Sequence, residues 1–129
     1  MGKTMKDIVY ISDEEREKCR KVKEAFAELE NEEVGIMVAD AGRYGYVRLR
    51  YYDMTYGFAE TNCFTESSAL FNDLWTNWLD AQLFKIAVED VPLMDLEYED
   101  IFKVLPKEKQ QELMRRRQEF AEQSGIKVS

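Results

Sequence analysis

Tyr44, Tyr46, Arg48, Arg50 and Tyr52 recur at every second position and form the densest grouping of recognition chemistry in the chain. On a β-strand alternate side chains point to one face, so these five would share a surface. Guanidinium groups stack on phenol rings, and tyrosine orders at little entropic cost. That mixture suits a protein interface, where aromatic residues and arginine are enriched, and it also suits a platform for single-stranded nucleic acid. The five residues are therefore read as the candidate interaction surface. The alternative is that a C-terminal helix covers this face and holds the arginines with its carboxylates. The intervening set, Gly45, Val47, Leu49 and Tyr51, reads as core.

Bond-making chemistry has little to work with. The chain has no histidine, so the commonest general base, the Ser/His and Cys/His nucleophile systems and most zinc sites are closed off. Two cysteines, Cys19 and Cys63, are too few for a thiolate zinc site or a disulfide framework and read as small hydrophobes. Gly2-Lys3-Thr4 resembles the tail of a phosphate-binding loop, but it lacks the upstream glycine and the preceding strand that such a loop needs. Glu89, Asp90, Asp95, Glu97, Glu99 and Asp100 crowd a stretch without Lys or Arg. Their spacing matches no calcium loop, and they read as a solvated acidic surface, with a metal site or a carboxylate-metal enzyme as remote alternatives. Lys103, Lys107, Lys109, Arg115, Arg116 and Arg117 follow. On a helix the three arginines splay about 100° apart, so they are expected to pair with the acidic stretch or the first helix rather than clamp a phosphate. No catalytic residue, cofactor site or metal ligand is expected, and the chain reads as a non-enzyme.

The elements that must position these groups follow from periodicity. Ile8–Ile11 reads as a short strand after a disordered segment 1–7. Ser12 with Glu15 three residues on forms a capping box, and Cys19, Val22, Phe26 and Leu29 mark one apolar stripe of a helix over about 13–30. The continuous apolar run Val34–Ala39 predicts a strand buried on both faces. Asp40-Ala41-Gly42-Arg43 predicts a turn into a second strand over Tyr44–Tyr52, and Gly57, Phe58, Thr61, Cys63 and Phe64 predict a third. Thr65 or Ser67 would cap a central helix over about 67–88, where Leu70, Phe71, Leu74, Trp75, Trp78, Leu79, Leu83 and Ile86 give the strongest helical period of the chain. Asp95 would cap a short helix. Pro106 opens a last helix that ends at Ser124 before Gly125; its few clearly apolar positions make it peripheral. Helix, then strands, then helices is an α+β order: one domain over 1–129 with a small antiparallel sheet packed by N-terminal, central and C-terminal helices.

The 129 residues, 45% of them hydrophobic, suffice for a core that needs no staples. A net charge of −8 opposes nucleic acid and anionic membranes and permits a basic partner. No stretch approaches the roughly 20 apolar residues of a membrane span. The expected setting is cytoplasmic, and the expected partner is another protein or a second copy.

Asp40-Ala41-Gly42-Arg43-Tyr44-Gly45-Tyr46-Val47, the Leu74-Trp75 helix and the run from Tyr98 to Gln110 together resemble small accessory proteins of gut-bacterial mobile elements, over about Ile8 to Ile126. That group has no assigned activity, cofactor or catalytic residue, so the resemblance implies only a bacterial cytoplasmic accessory role. With the acidic charge, it is compatible with a regulator or a DNA-mimicking inhibitor of a basic protein.

Overall fold

The computed structural model describes residues 10–30, 35–53 and 57–127, with the side chains of 51–53 and 57–59 outside that description. Gly2-Lys3-Thr4, the expected disordered segment 1–7 and the Ile8-Val9 half of the expected short strand lie outside the described residues. Tyr10 and Ile11 are not in a strand; the Ile11 amide donates to the Arg43 carbonyl at 2.9 Å.

The first helix begins where the capping residues place it. Ser12 is extended at φ −76°, ψ 158°, and its hydroxyl accepts from the Glu15 amide at 3.1 Å. Three acids in the first turn suit the positive end of the helix dipole. α1 (Asp13–Ala25) stops at Phe26, and a separate turn, α2 (Ala27–Glu30), follows, so the single helix expected to 30 is two pieces. Phe26 and Leu29 are both buried, and the Glu30 carboxylate accepts from the Val38 amide at 2.9 Å. That amide lies on the outer edge of the first strand, where a carboxylate supplies the acceptor a missing strand would have given.

β1 (Ile36–Asp40), β2 (Tyr46–Asp53) and β3 (Gly57–Phe64) form an antiparallel sheet in that order. β1 is not buried on both faces as its apolar run implied: Ile36 and Val38 are buried, Met37 between them is 40% exposed, and Val34 lies outside the described residues. Between β1 and β2 runs a 3-10 turn, Gly42–Tyr44. Gly45 closes it at φ 106°, where a Cβ would stand 2.1 Å from the Phe64 carbonyl oxygen; only glycine permits that approach.

α3 (Ser67–Ala87) is the centre of the core, burying Leu70, Phe71, Leu74, Trp75, Trp78 and Leu83. Neither Thr65 nor Ser67 caps it. The capping position is Glu66, whose side chain makes no cap bond, and the Glu15 carboxylate of α1 instead accepts from the Ser67 amide at 2.9 Å and from its hydroxyl at 3.2 Å. A 3-10 segment, Val91–Asp95, leads to α4 (Tyr98–Val104), whose capping position is Glu97 rather than Asp95.

α5 (Lys107–Ser124) ends in a left-handed Gly125 at φ 69°, with the Ile126 amide returning to the Ala121 carbonyl at 2.9 Å. It is not peripheral. Phe120 stacks on Phe26 at 4.2 Å between ring centroids and meets Trp78 edge-on at 5.3 Å. Few apolar positions suffice because Leu113, Phe120 and Ala121 all land on the face packed against α1.

Candidate functional site

The alternation of β2 is as read, but its polarity is reversed. Tyr46 and Arg48 are each only 3% exposed and lie on the helix-facing side of the sheet with Ile36 and Val38, Tyr46 beside Arg16 and Arg20 of α1 and Arg48 against α3. α3 presents Asp73, Asn77 and Asp80 at i, i+4 and i+7, one face of a helix, amid an otherwise apolar sequence. Arg48 donates from Nε and Nη2 to the two oxygens of Asp73, at 2.8 and 2.9 Å, and from Nη1 to Glu60 at 2.6 Å. This two-pronged pairing is the strong form of the arginine–carboxylate bond. The Asp73 hydrogen bonds raise the Arg48 pKa further above its usual value, outweighing the lowering effect of burial. Arg50 donates to the Asn77 side-chain oxygen, and Asn77 donates back to the Asp73 carbonyl at 2.8 Å.

The five expected surface residues therefore do not form one surface. A helix does cover the arginines, but it is the central one and not the C-terminal one. Tyr44 is not on the strand at all: it sits in the 3-10 turn, 52% exposed, with Arg43 packed over its ring at 5.3 Å and over Tyr10 at 5.0 Å. The Tyr52 side chain lies outside the described residues. Arg48 and Arg50 hold the sheet to α3, and Tyr46 is buried beside α1, which removes all three as a stacking platform.

Asp80 shows the electrostatic cost of this polar layer. Burial pushes its carboxyl pKa up, and the nearby Arg50 pulls it only partly back. A raised folded-state pKa means that the ionised form weakens the fold above that pKa. The penalty disappears as pH falls below the ordinary carboxylate value. Asp80→Asn is accordingly expected to raise the thermal midpoint at pH 7, with the gain shrinking toward pH 4 in melts followed by circular dichroism. A lower midpoint at pH 7 would show that the Arg50 interaction outweighs the desolvation.

Of the residues expected in the core of the hairpin, Val47 and Leu49 are on the other side; Gly45 is buried at the end of the 3-10 turn, and the Tyr51 side chain lies outside the described residues. Cross-strand register sets Ala39, Val47 and Cys63 in one row and Met37, Leu49 and Thr61 in the next, on the face away from α3. Met37, Thr61 and Cys63 are exposed; Ala39, Val47 and Leu49 are half-buried. None is charged. Antiparallel sheets with one solvated face ordinarily turn polar residues to water and apolar ones to the core. Here the helix-facing side carries two arginines, Glu60 and Asn62, while the two described outward rows are uncharged and mainly apolar.

The thiols differ in setting. Cys19 is fully buried and burial pushes its pKa up to about 11, so it carries no thiolate at neutral pH. Cys63 is exposed on the outward sheet face, its Sγ donating to the Tyr44 carbonyl at 3.1 Å. The carboxylates of 89–100 are all exposed. Among the described residues no three His, Cys, Asp or Glu side chains converge as metal ligands would. No described helix is long and apolar enough to cross a membrane. Of the basic segment, Arg116 pairs with Glu28 at 2.6 Å, within the span read as the first helix, and lies 4.7 Å over the Phe120 ring.

No protein-family model matches this chain, and no curated protein or solved structure matches it either. The surface geometry alone therefore carries the functional reading.

Proposed function

We propose that the chain is a non-enzymatic cytoplasmic interaction module that binds a second copy of itself through the outward face of its sheet. The observation that carries this reading is the reversed alternation: Met37, Ala39, Val47 and Leu49 face outward while Arg48 and Arg50 are spent on internal pairing. An uncharged face is where two chains of net charge −8 can meet without bringing like charges together. Sheets of this kind pack face to face about 10 Å apart, and a two-fold axis would place the same rows against each other. A role as an accessory or regulatory protein fits a module with this surface.

Sedimentation equilibrium tests this directly. The wild-type chain should dimerise at micromolar concentration, and Leu49→Asp should weaken the dimer by tenfold or more, on the order of 1.4 kcal/mol, while leaving the circular dichroism spectrum unchanged. A monomer at about 100 µM, or a dimer that Leu49→Asp leaves intact, would overturn the reading.

A further inference from the structure

A second surface, remote from the sheet face in sequence, has a different character. From the end of α3 through the 3-10 segment into α4, Phe84, Val88, Val91, Met94, Leu96 and Tyr98 are all exposed large hydrophobics. Val91 is 76% exposed. Single exposed apolar residues are ordinary, but four of these six, Phe84, Met94, Leu96 and Tyr98, converge on one surface patch. The patch is concave. One cavity of about 230 Å³ is lined by Phe84, Met94, Leu96 and Tyr98 with Glu97 at its edge, and a second of about 310 Å³ lies between Leu79, Leu83, Tyr98 and Phe102, with Asp80, Glu99 and Lys103 also lining it and Lys103 paired to Glu99 at 3.1 Å. Tyr98 lines both, so the two adjoin beside α3 and α4. All six carboxylates between residues 89 and 100 are exposed in the same stretch, with no Lys or Arg among them.

We propose that this trough is a docking site for a cationic amphipathic helix of a partner protein. The trough lies beside two helices and offers apolar pockets, which is the setting in which a third helix lays down an apolar stripe. Glu97 at the first cavity and the exposed acids of the same stretch outnumber Lys103 at the second, so their field selects Lys and Arg on the flanks of that stripe and speeds its encounter. The same charge repels nucleic acid and anionic lipid. Apolar burial supplies affinity and the acidic rim supplies selection, so both are needed.

The probe is a fluorescein-labelled synthetic helix of leucine and lysine, with leucines at i, i+3, i+4 and i+7. Three controls accompany it: a scrambled peptide of the same composition, a leucine/glutamate counterpart, and the full chain carrying Leu49→Asp. Fluorescence anisotropy should give saturable binding below about 100 µM, with scrambled and acidic peptides at least tenfold weaker. Phe84→Ser and, separately, Glu97→Lys with Asp95→Lys should each weaken the leucine/lysine peptide by about tenfold or more, whereas Leu49→Asp should not change it. Phe84, Asp95 and Glu97 are exposed and Leu49 is half-buried; circular dichroism checks that each variant keeps the fold. Equal binding of the scrambled peptide would reduce the surface to plain charge, and equal binding of the acidic peptide would reduce it to plain apolar contact; either overturns the proposal. So does the absence of saturation, and so does a self-associated state that Phe84→Ser dissociates, which would make the occupant a second copy. Failure here leaves the sheet-face reading standing, since Leu49→Asp separates the two.

Discussion

Arg48→Ala should lower the unfolding free energy by about 3–5 kcal/mol, a large part of the total stability of an ordinary small domain. The magnitude comes from what the truncation leaves behind. Asp73 keeps only 15% of its side-chain surface exposed, so without the guanidinium its charge is stranded against the sheet. Glu60, 40% exposed, can turn to water and adds little to the loss. Urea unfolding followed by circular dichroism gives the shift in midpoint. The double change Arg48→Met with Asp73→Leu should recover most of it, because a buried ion pair is often no better than apolar residues of similar volume. A single-variant loss under about 1 kcal/mol, the size of an exposed pair, would show that the pair is not desolvated.

Phe120→Ala should cost a similar amount, about 3–5 kcal/mol, through lost transfer energy and the cavity left between α1, α3 and α5. The ring is 2% exposed, stacks on Phe26 and touches Trp78, and it supports the Arg116 guanidinium that reaches Glu28. Because Phe26 and Phe120 share one contact, the double variant Phe26→Ala with Phe120→Ala should fall short of the sum of the singles by about 0.5 kcal/mol or more. Met114→Ala, on the exposed side of the same helix, should stay within about 0.5 kcal/mol of wild type. If Phe120→Ala were equally mild, α5 would be the appendage that its sparse apolar sequence suggests.

Those two sites mark where sequence reasoning succeeds and where it stops. Periodicity placed α3 within a residue of its ends, because ten of its side chains are buried and their 3–4 spacing is dense. Pro106 and Gly125 bounded α5, since each acts through its own backbone. The three strands and the α+β order were legible for the same reason. What was not legible is which face of β2 is buried. A tyrosine–arginine face and a valine–leucine face differ by a factor of period two that the strand itself makes visible, but the choice between them is made by Asp73, some 25 residues on. The available signal was Asp73, Asn77 and Asp80 lying on one face of an apolar helix, the complement of two arginines two residues apart. Phe120 was underweighted likewise: a list of apolar positions does not say how centrally one of them lands.

Glu15 carries a consequence for how the chain reaches this structure. The first turn of α3 has no local cap, and its amide acceptor comes from a residue 52 positions earlier. The start of the central helix is thus completed only once α1 has closed a long loop onto it, a slow, entropically opposed event compared with helix propagation. Before that event water meets the Ser67 amide, and the N-terminal turn of α3 lacks this fixed acceptor. The contact thus ties the start of the central helix to the docked position of α1, across 52 residues of sequence.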